Sequence, residues 1–226
     1  QIAAHVDLEA LCALARPASV SGVGGDCALA PPGQRIALAR DDAFAFAYPH
    51  VLAAWQRQGV EVTPFSPLAN EAPADFADAV YLPGGYPELH AGSLASNQNF
   101  LQGTRRAAKR GASVFGECGG FMVLGQALQD ADGIKHSMLG LLPVETSFAN
   151  PRLSLGYRHA TLQMDCALGC RGQVFTGHEF HFAQTLRADT KTPLFACSDA
   201  RGEAKGLYGC ARANVFGSFI HLIDRA

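Results

Sequence analysis

Residues 112–125 read Ala112-Ser113-Val114-Phe115-Gly116-Glu117-Cys118-Gly119-Gly120-Phe121-Met122-Val123-Leu124-Gly125. A short apolar run with β-branched and aromatic residues ends at Cys118, two glycines follow, and Phe121, Val123, Leu124, Ala127 and Leu128 recur at helical spacing. The stretch therefore predicts a strand, a sharp turn and a helix. A side chain at such a turn is lifted clear of the sheet, and flanking glycines permit strained φ/ψ while leaving room for a substrate. Partial positive charge at the helix start favours a thiolate, which predicts a lowered pKa for Cys118. A cysteine at a strand end is commonly an inert core residue. The Gly-x-Cys-Gly-Gly setting makes Cys118 a candidate nucleophile instead.

Working outward, residues 35–40 read as a buried strand, and Asp41-Asp42 as N-cap residues for a helix over 48–58 that Gly59 stops. The segment Arg40-Asp41-Asp42-Ala43-Phe44 reads equally as a surface facing a partner domain. Further strands are expected at 60–65 and 78–82, a turn at Pro83-Gly84-Gly85-Tyr86-Pro87-Glu88, and a polar helix over 94–110. The basic residues Arg105, Arg106, Lys109 and Arg110 read as a solvated last turn favoured by the helix dipole. This alternation predicts a three-layer α/β fold: a mostly parallel, twisted sheet with helices on both faces. Beyond Leu139 come short β runs at 141–148, 158–164, 173–186, 193–198, 205–210 and 214–222, without a clear repeat, expected to add antiparallel strands around the parallel sheet. The last run ends on His221, placing an imidazole at a sheet edge. A lone histidine there is often structural; beside a nucleophilic cysteine it is the candidate general base.

Residues 7–15 form a short amphipathic helical pattern, and 16–34, rich in Pro, Gly, Ser and Ala, read as a linker. Residues 1–34 are thus expected to be the tail of a preceding domain plus linker, with 35–226 one α/β domain. The 226 residues, 48% hydrophobic and 17% charged, suffice for a full core. A net charge of -2 argues against nucleic acid or an anionic membrane as partner. Seven scattered cysteines read as reduced thiols in a cytoplasmic protein. No apolar run approaches the ~20 residues that span a bilayer. No signal peptide is read, and Gln1 in place of an initiator Met suggests a fragment or processed chain. Cys166-x-x-x-Cys170 with His178-x-x-His181 superficially resembles a zinc site. Histidines three apart on a strand point to opposite faces, so no metal site is expected.

Five motifs in order carry a resemblance: Pro83-Gly84-Gly85-Tyr86-Pro87-Glu88-Leu89, Gly116-Glu117-Cys118-Gly119-Gly120, Leu155-Gly156-Tyr157-Arg158, Gly177-His178-Glu179-Phe180-His181 and Gly217-Ser218-Phe219-Ile220-His221-Leu222. Together they resemble the class I glutamine amidotransferase domain of the cobyrinate or hydrogenobyrinate a,c-diamide synthases, over residues 35–222. The resemblance implies a flavodoxin-like amidotransferase fold and the glutaminase half of an ATP-dependent ligase of cobalamin biosynthesis. It implies Cys118 as nucleophile toward L-glutamine, Gly85 and Gly119 N–H as oxyanion donors, and His221 as the proton-transfer group. Gly84, Tyr86, Gly120, Phe121, His178 and Glu179 are candidates for lining the glutamine site or an ammonia path. The family implies an N-terminal synthetase domain that uses ATP and Mg2+ and receives ammonia for the corrin acceptor. No Gly-x-x-x-x-Gly-Lys-Ser/Thr occurs, so no cofactor is expected in this part. Many class I amidotransferases carry His-x-Glu, but Ile223 stands two beyond His221, leaving a Cys/His dyad with its orienting group unassigned. Alternatives are an amidotransferase for another acceptor, such as nickel-sirohydrochlorin or a cell-wall lipid intermediate, and a non-catalytic binding domain of the same fold.

Overall fold

The computed structural model describes residues 5–15, 29–188 and 191–226. Of the linker read over 16–34, residues 16–28 lie outside them. Leu29, also assigned to that linker, is buried, and its carbonyl accepts from Trp55 Nε1 at 2.9 Å. The elements in order are α1 (Leu8–Leu14), β1 (Arg35–Ala39), α2 (Pro49–Arg57), β2 (Glu61–Phe65), β3 (Ala79–Leu82), a 3-10 turn (Pro87–His90), α3 (Ala91–Ser96), α4 (Gln98–Lys109), β4 (Ser113–Glu117) and α5 (Gly119–Leu124). There follow β5 (Ala127–Gln129), β6 (Lys135–Ser137), β7 (Val144–Ser147), β8 (Ser154–Leu162), β9 (Val174–His181), β10 (Gln184–Ala188), β11 (Phe195–Ser198), β12 (Ala204–Tyr208), β13 (Cys210–Arg212), β14 (Val215–Ser218) and β15 (Ile220–Arg225). Among the described residues, no helix is long and apolar enough to cross a membrane.

A six-stranded sheet of order β2-β1-β3-β4-β14-β13, parallel except for the edge strand β13, forms the centre. Its inner strands β1, β3, β4 and β14 are buried on both faces, which is why they read as continuous apolar runs rather than alternating ones. Ala37 and Ala39 of β1 enter one core with Phe100 and Leu101 of α4 and Val123 and Leu124 of α5. Ile36 and Leu38 enter the other with Val51 and Trp55 of α2 and with Leu162, Phe175 and Phe195. The second face is thus covered by one helix and by an antiparallel sheet, order β12-β11-β8-β9-β15. A third, four-stranded sheet follows the order β10-β7-β5-β6.

Three local expectations are corrected. Asp41 does not cap α2, which starts with Pro49 after a Tyr48 N-cap that makes no side-chain bond. Its carboxylate instead accepts from Ser66 Oγ at 2.9 Å and Leu68 N–H at 2.8 Å, tying the loop after β1 to the loop after β2. The helix read over 94–110 is two helices broken at Asn97, whose side-chain amide donates to the carbonyls of Pro67 (2.8 Å) and Leu68 (3.1 Å). Arg105 is exposed, as are Arg106, Lys109 and Arg110, and it also donates to the carbonyls of Leu139 and Met138, both at 2.9 Å. The helix after Cys118 stops at Leu124, because Gln126 N–H donates to the Val144 carbonyl at 2.8 Å and draws Ala127 and Leu128 into β5. Their apolar spacing reflects burial in a strand.

The run 214–222 crosses from one sheet to another. β14 pairs in parallel with β4, Ser218 opposite Glu117, and β15 pairs antiparallel with β9, His221 opposite His178. The crossing at Phe219 brings His221 to the carboxyl end of the parallel sheet, where ligands of open α/β sheets gather.

Candidate active site

Cys118 follows β4 and caps α5 with φ 47° and ψ -103°, a conformation that costs a β-carbon-bearing residue about 1–3 kcal/mol. The surroundings impose it: Cys118 N–H donates to Ser218 O at 2.8 Å and Gly120 N–H to Pro83 O at 3.1 Å. A Cβ on Gly120 would strike the Leu82 carbonyl, so only glycine lets the helix start this close to β3. A Cβ on Gly119 would lie 3.0 Å from Gly85 N, and one on Gly85 would strike the Ala43 carbonyl. Gly85 N therefore packs against Gly119, Gly85 lines the same cavity as Cys118, and Gly119 N–H donates to the thiol.

The sulfur opens into a cavity of about 150 Å3 lined by Phe46, Gly85, Tyr86, Glu88, Met122, Phe148, Phe180, His181 and Phe182. That is roughly five times a water molecule's ~30 Å3 share of liquid, room for a single amino acid and nothing macromolecular. Phe46 reaches it because its N–H donates to Gly84 O at 2.9 Å, joining the loops after β1 and β3. Larger clefts elsewhere, of about 490, 450 and 370 Å3, contain no cysteine or histidine, and the one of about 270 Å3 is lined by His181 but by no cysteine.

His221 is 2% exposed and is held by packing. Its ring stacks on His178 with centroids 4.7 Å apart at 3°, and Tyr48 meets it edge-on at 6.0 Å and 88°. Tyr48 Oη in turn hydrogen-bonds His178 Nε2 at 2.6 Å. A Cβ on Gly84 would come 2.5 Å from His221 Cε1, so glycine leaves the space the ring occupies. His221 Nδ1 is buried without a hydrogen-bond partner among the described residues. The backbone beside it is fixed by Glu117: one carboxylate oxygen accepts from Leu222 N–H at 2.8 Å, and the other from Tyr81 Oη.

Burial dominates the electrostatics. It pushes the Cys118 thiol up to about 12; Gly119 N–H opposes the rise, while Glu117, Glu88 and Glu179 add to it. The lowered thiol pKa expected from the helix start is thus overturned: α5 has only six residues, and desolvation outweighs its dipole. Burial, with His178 and His181 adding, holds His221 down at about 3. Glu117 is raised to about 7 by burial, against the lowering effect of Tyr81 and Leu222 N–H. The thiol donates to Phe180 O at 3.6 Å. In this state the pair is a neutral thiol and a neutral imidazole.

The second half of the chain contributes a charged chain behind the cavity. Arg158 donates to Glu179 Oε2 at 2.6 and 3.0 Å, His181 Nε2 hydrogen-bonds Glu179 Oε1 at 2.9 Å, and His181 Nδ1 lies 3.0 Å from Ala183 O. The His181 ring stacks on Phe219 at 3.9 Å. Burial works against the Glu179 charge, but these partners hold its carboxyl below the usual range. Of the residues singled out from sequence, Cys118, Gly85 and Tyr86 line the cavity. Gly119 borders Gly85, Gly120 packs on β3, and Phe121 packs edge-on against Phe219 at 5.3 Å. Gly84 and His178 flank His221, and Glu179 lies behind His181. His178 and His181 indeed face opposite sides of β9, one toward His221 and the other toward Glu179. Sequence reasoning assigned no role to Tyr48, Glu88 or Glu117. Glu117 alone left a signal, a carboxylate closing an apolar strand.

The His221 environment has a pH consequence. Exposed histidine takes a proton near 6.5, whereas buried His221 stays neutral to about 3, so the unfolded chain binds more protons between those values. Its contribution to stability is complete above 6.5 and drains away as pH falls toward 3. Denaturant titrations of wild type and His221→Asn at pH 7 and pH 5 should show the wild-type advantage shrinking by about 2 kcal/mol. Parallel pH dependences would mean His221 is already solvated or charged in the fold.

A strained cysteine at a strand-to-helix elbow, with Gly119 N–H donating to it, Gly85 lining the same cavity and a histidine from a later strand, defines the class of fold. Solved structures share it: PurLQS from Thermotoga maritima matches with a TM-score of 0.57, 17% identity and 84% of this chain against 87% of that one. A glutamine amidotransferase from the same organism matches with a TM-score of 0.53, 12% identity and 84% against 76%. The architecture is that of the class I glutamine amidotransferases. Residues 35–225 match the model of the CobB/CobQ-like glutamine amidotransferase domain, and the chain belongs to that family. Among curated relatives, hydrogenobyrinate a,c-diamide synthase of Mesorhizobium japonicum is 52% identical over 98% of this chain and 50% of its own length. The protein of the same name from Rhizobium meliloti is 53% identical over 99% and 51%. The chain spans about half the length of the curated relatives it matches.

Proposed function

We propose that this chain is the glutaminase half of an ATP-dependent a,c-diamide synthase acting on hydrogenobyrinate or cobyrinate, hydrolysing L-glutamine and passing ammonia to a synthetase domain. The observation that carries the reading is Cys118, strained at its elbow in an amino-acid-sized cavity that Gly85 lines, with Gly119 N–H donating to the thiol. The Cys118 thiolate attacks the glutamine carboxamide carbon, and the Gly85 and Gly119 N–H groups receive the oxyanion. His221 moves the proton to the departing ammonia and then activates the water that hydrolyses the thioester. ATP and Mg2+ belong to the synthetase domain in this reading.

The thiol near 12 and the imidazole near 3 describe a pair at rest, with the thiol donating to Phe180 rather than to His221. A glutaminase that idles until its acceptor is ready wastes no glutamine, and closure by the partner is the means. The same geometry favours the second reading, a non-catalytic domain of this fold; glutamate release separates the two. In the full-length protein, release from glutamine should rise about tenfold or more, ~1.4 kcal/mol in barrier, when ATP, Mg2+ and the corrin acid are added. Equal release with and without them would sink the coupled reading, and no release under either condition would favour the binding domain. Running hydrogenobyrinate, cobyrinate and nickel-sirohydrochlorin in parallel identifies the acceptor.

A further inference from the structure

Glu88 is the one carboxylate among the side chains lining the Cys118 cavity. It sits in the 3-10 turn that follows the Gly84-Gly85 loop, and the turn is fixed against the start of α5: Pro87 Cδ lies 2.9 Å from where a Cβ of Gly119 would be. Glu88 Oε2 is shut off from solvent and has no hydrogen-bond partner among the described residues. A buried carboxylate oxygen without a donor costs several kcal/mol unless something supplies one. Besides Cys118 and Glu88, the cavity is lined by His181, whose two ring nitrogens are already engaged with Glu179 and Ala183, and by Tyr86, whose ring packs edge-on with Phe46. No lysine or arginine lines the cavity. The group that fits is a ligand's cation, and a primary ammonium brings three donors to one carboxylate.

Resting on the glutaminase reading above, we infer that Glu88 reads the α-ammonium group of glutamine and is the residue that makes the cavity select an amino acid over a plain amide. Burial raises the Glu88 carboxyl, the expected state of a carboxylate awaiting its counter-ion. The Glu88 charge also helps hold the thiol protonated. An ammonium paired with Glu88 cancels that charge, so the correct substrate itself eases formation of the Cys118 thiolate.

Glutaramate, which is glutamine without its α-amino group, isolates the contact. Glutamate or glutarate release is measured for the full-length protein with its acceptor and ATP, as wild type, Glu88→Gln and Glu88→Asp. Wild type should prefer glutamine over glutaramate by about a hundredfold in kcat/KM. Glu88→Gln should lose about a hundredfold on glutamine and change less than about threefold on glutaramate, with Glu88→Asp recovering part of the preference. Glutarate release from glutaramate, which needs the same Cys118 site but not the ammonium contact, reports that the variants fold. Equal losses on both amides would assign Glu88 a structural role and overturn the inference. So would a wild type that does not discriminate between them, whatever the variants do. A wild type that releases nothing from either amide overturns the glutaminase reading itself, a result distinct from lost discrimination.

Discussion

Replacing Glu117 by alanine should destabilise the fold by about 2–5 kcal/mol and remove most glutamine-dependent activity from what remains folded. The carboxylate is 1% exposed and bonds two groups that have no alternative in the core, Tyr81 Oη and Leu222 N–H. Alanine leaves both unpaired and opens a cavity between β3, β4 and β15. Because Leu222 follows His221 directly, releasing its N–H frees the strand that carries the imidazole. Glutamine in place of Glu117 keeps an acceptor for Leu222 and should restore most of the stability, with His221 still in register. Denaturant titration of the alanine and glutamine variants, with glutamate release measured on each, checks both halves. A loss below about 0.5 kcal/mol for alanine would show that the buried pair is not holding β15.

Positioning by Glu117 and by the His178 stack replaces the carboxylate that a His-x-Glu sequence would have brought to His221. The substitution was invisible from sequence for a physical reason. Glu117 acts through the backbone of a residue 105 positions later, and His178 meets His221 only because β9 and β15 pair with those two positions opposite each other. The parallel sheet was legible because its strands are short apolar runs punctuated by glycine and proline, and the Cys118 elbow because glycine is needed where backbones touch. What misled were residues whose local preference lost to distant partners. Asn97 breaks a helix to reach the 67–68 loop, Asp41 gives up a helix cap to join two loops, and Leu128 leaves helical spacing for a strand. The thiol pKa was misjudged likewise: a helix start of six residues was weighed without the burial that overrides it.

In the proposed mechanism Cys118 is the only group able to form a glutamyl thioester, and neither the glycine N–H groups nor His221 can replace it. Cys118→Ala should therefore lower glutamine-dependent amidation at least about a thousandfold, the scale on which losing a covalent nucleophile registers. The substitution removes one sulfur from a well-packed elbow, so the fold and the synthetase domain should be intact. Ammonia supplied from solution bypasses the thioester entirely. His221→Ala should divide the two nitrogen sources in the same direction but less completely, because an exchangeable thiol retains some reactivity without its base.

The central claim is tested most directly by one parallel assay of the full-length protein: amidated corrin and released glutamate for wild type and Cys118→Ala, with glutamine and then with high ammonium at raised pH. The account predicts that Cys118→Ala loses both products with glutamine and matches wild type in amidation with ammonium. Glutamine-dependent product formation that survives in Cys118→Ala would contradict it, since Cys118 would then not be the nucleophile.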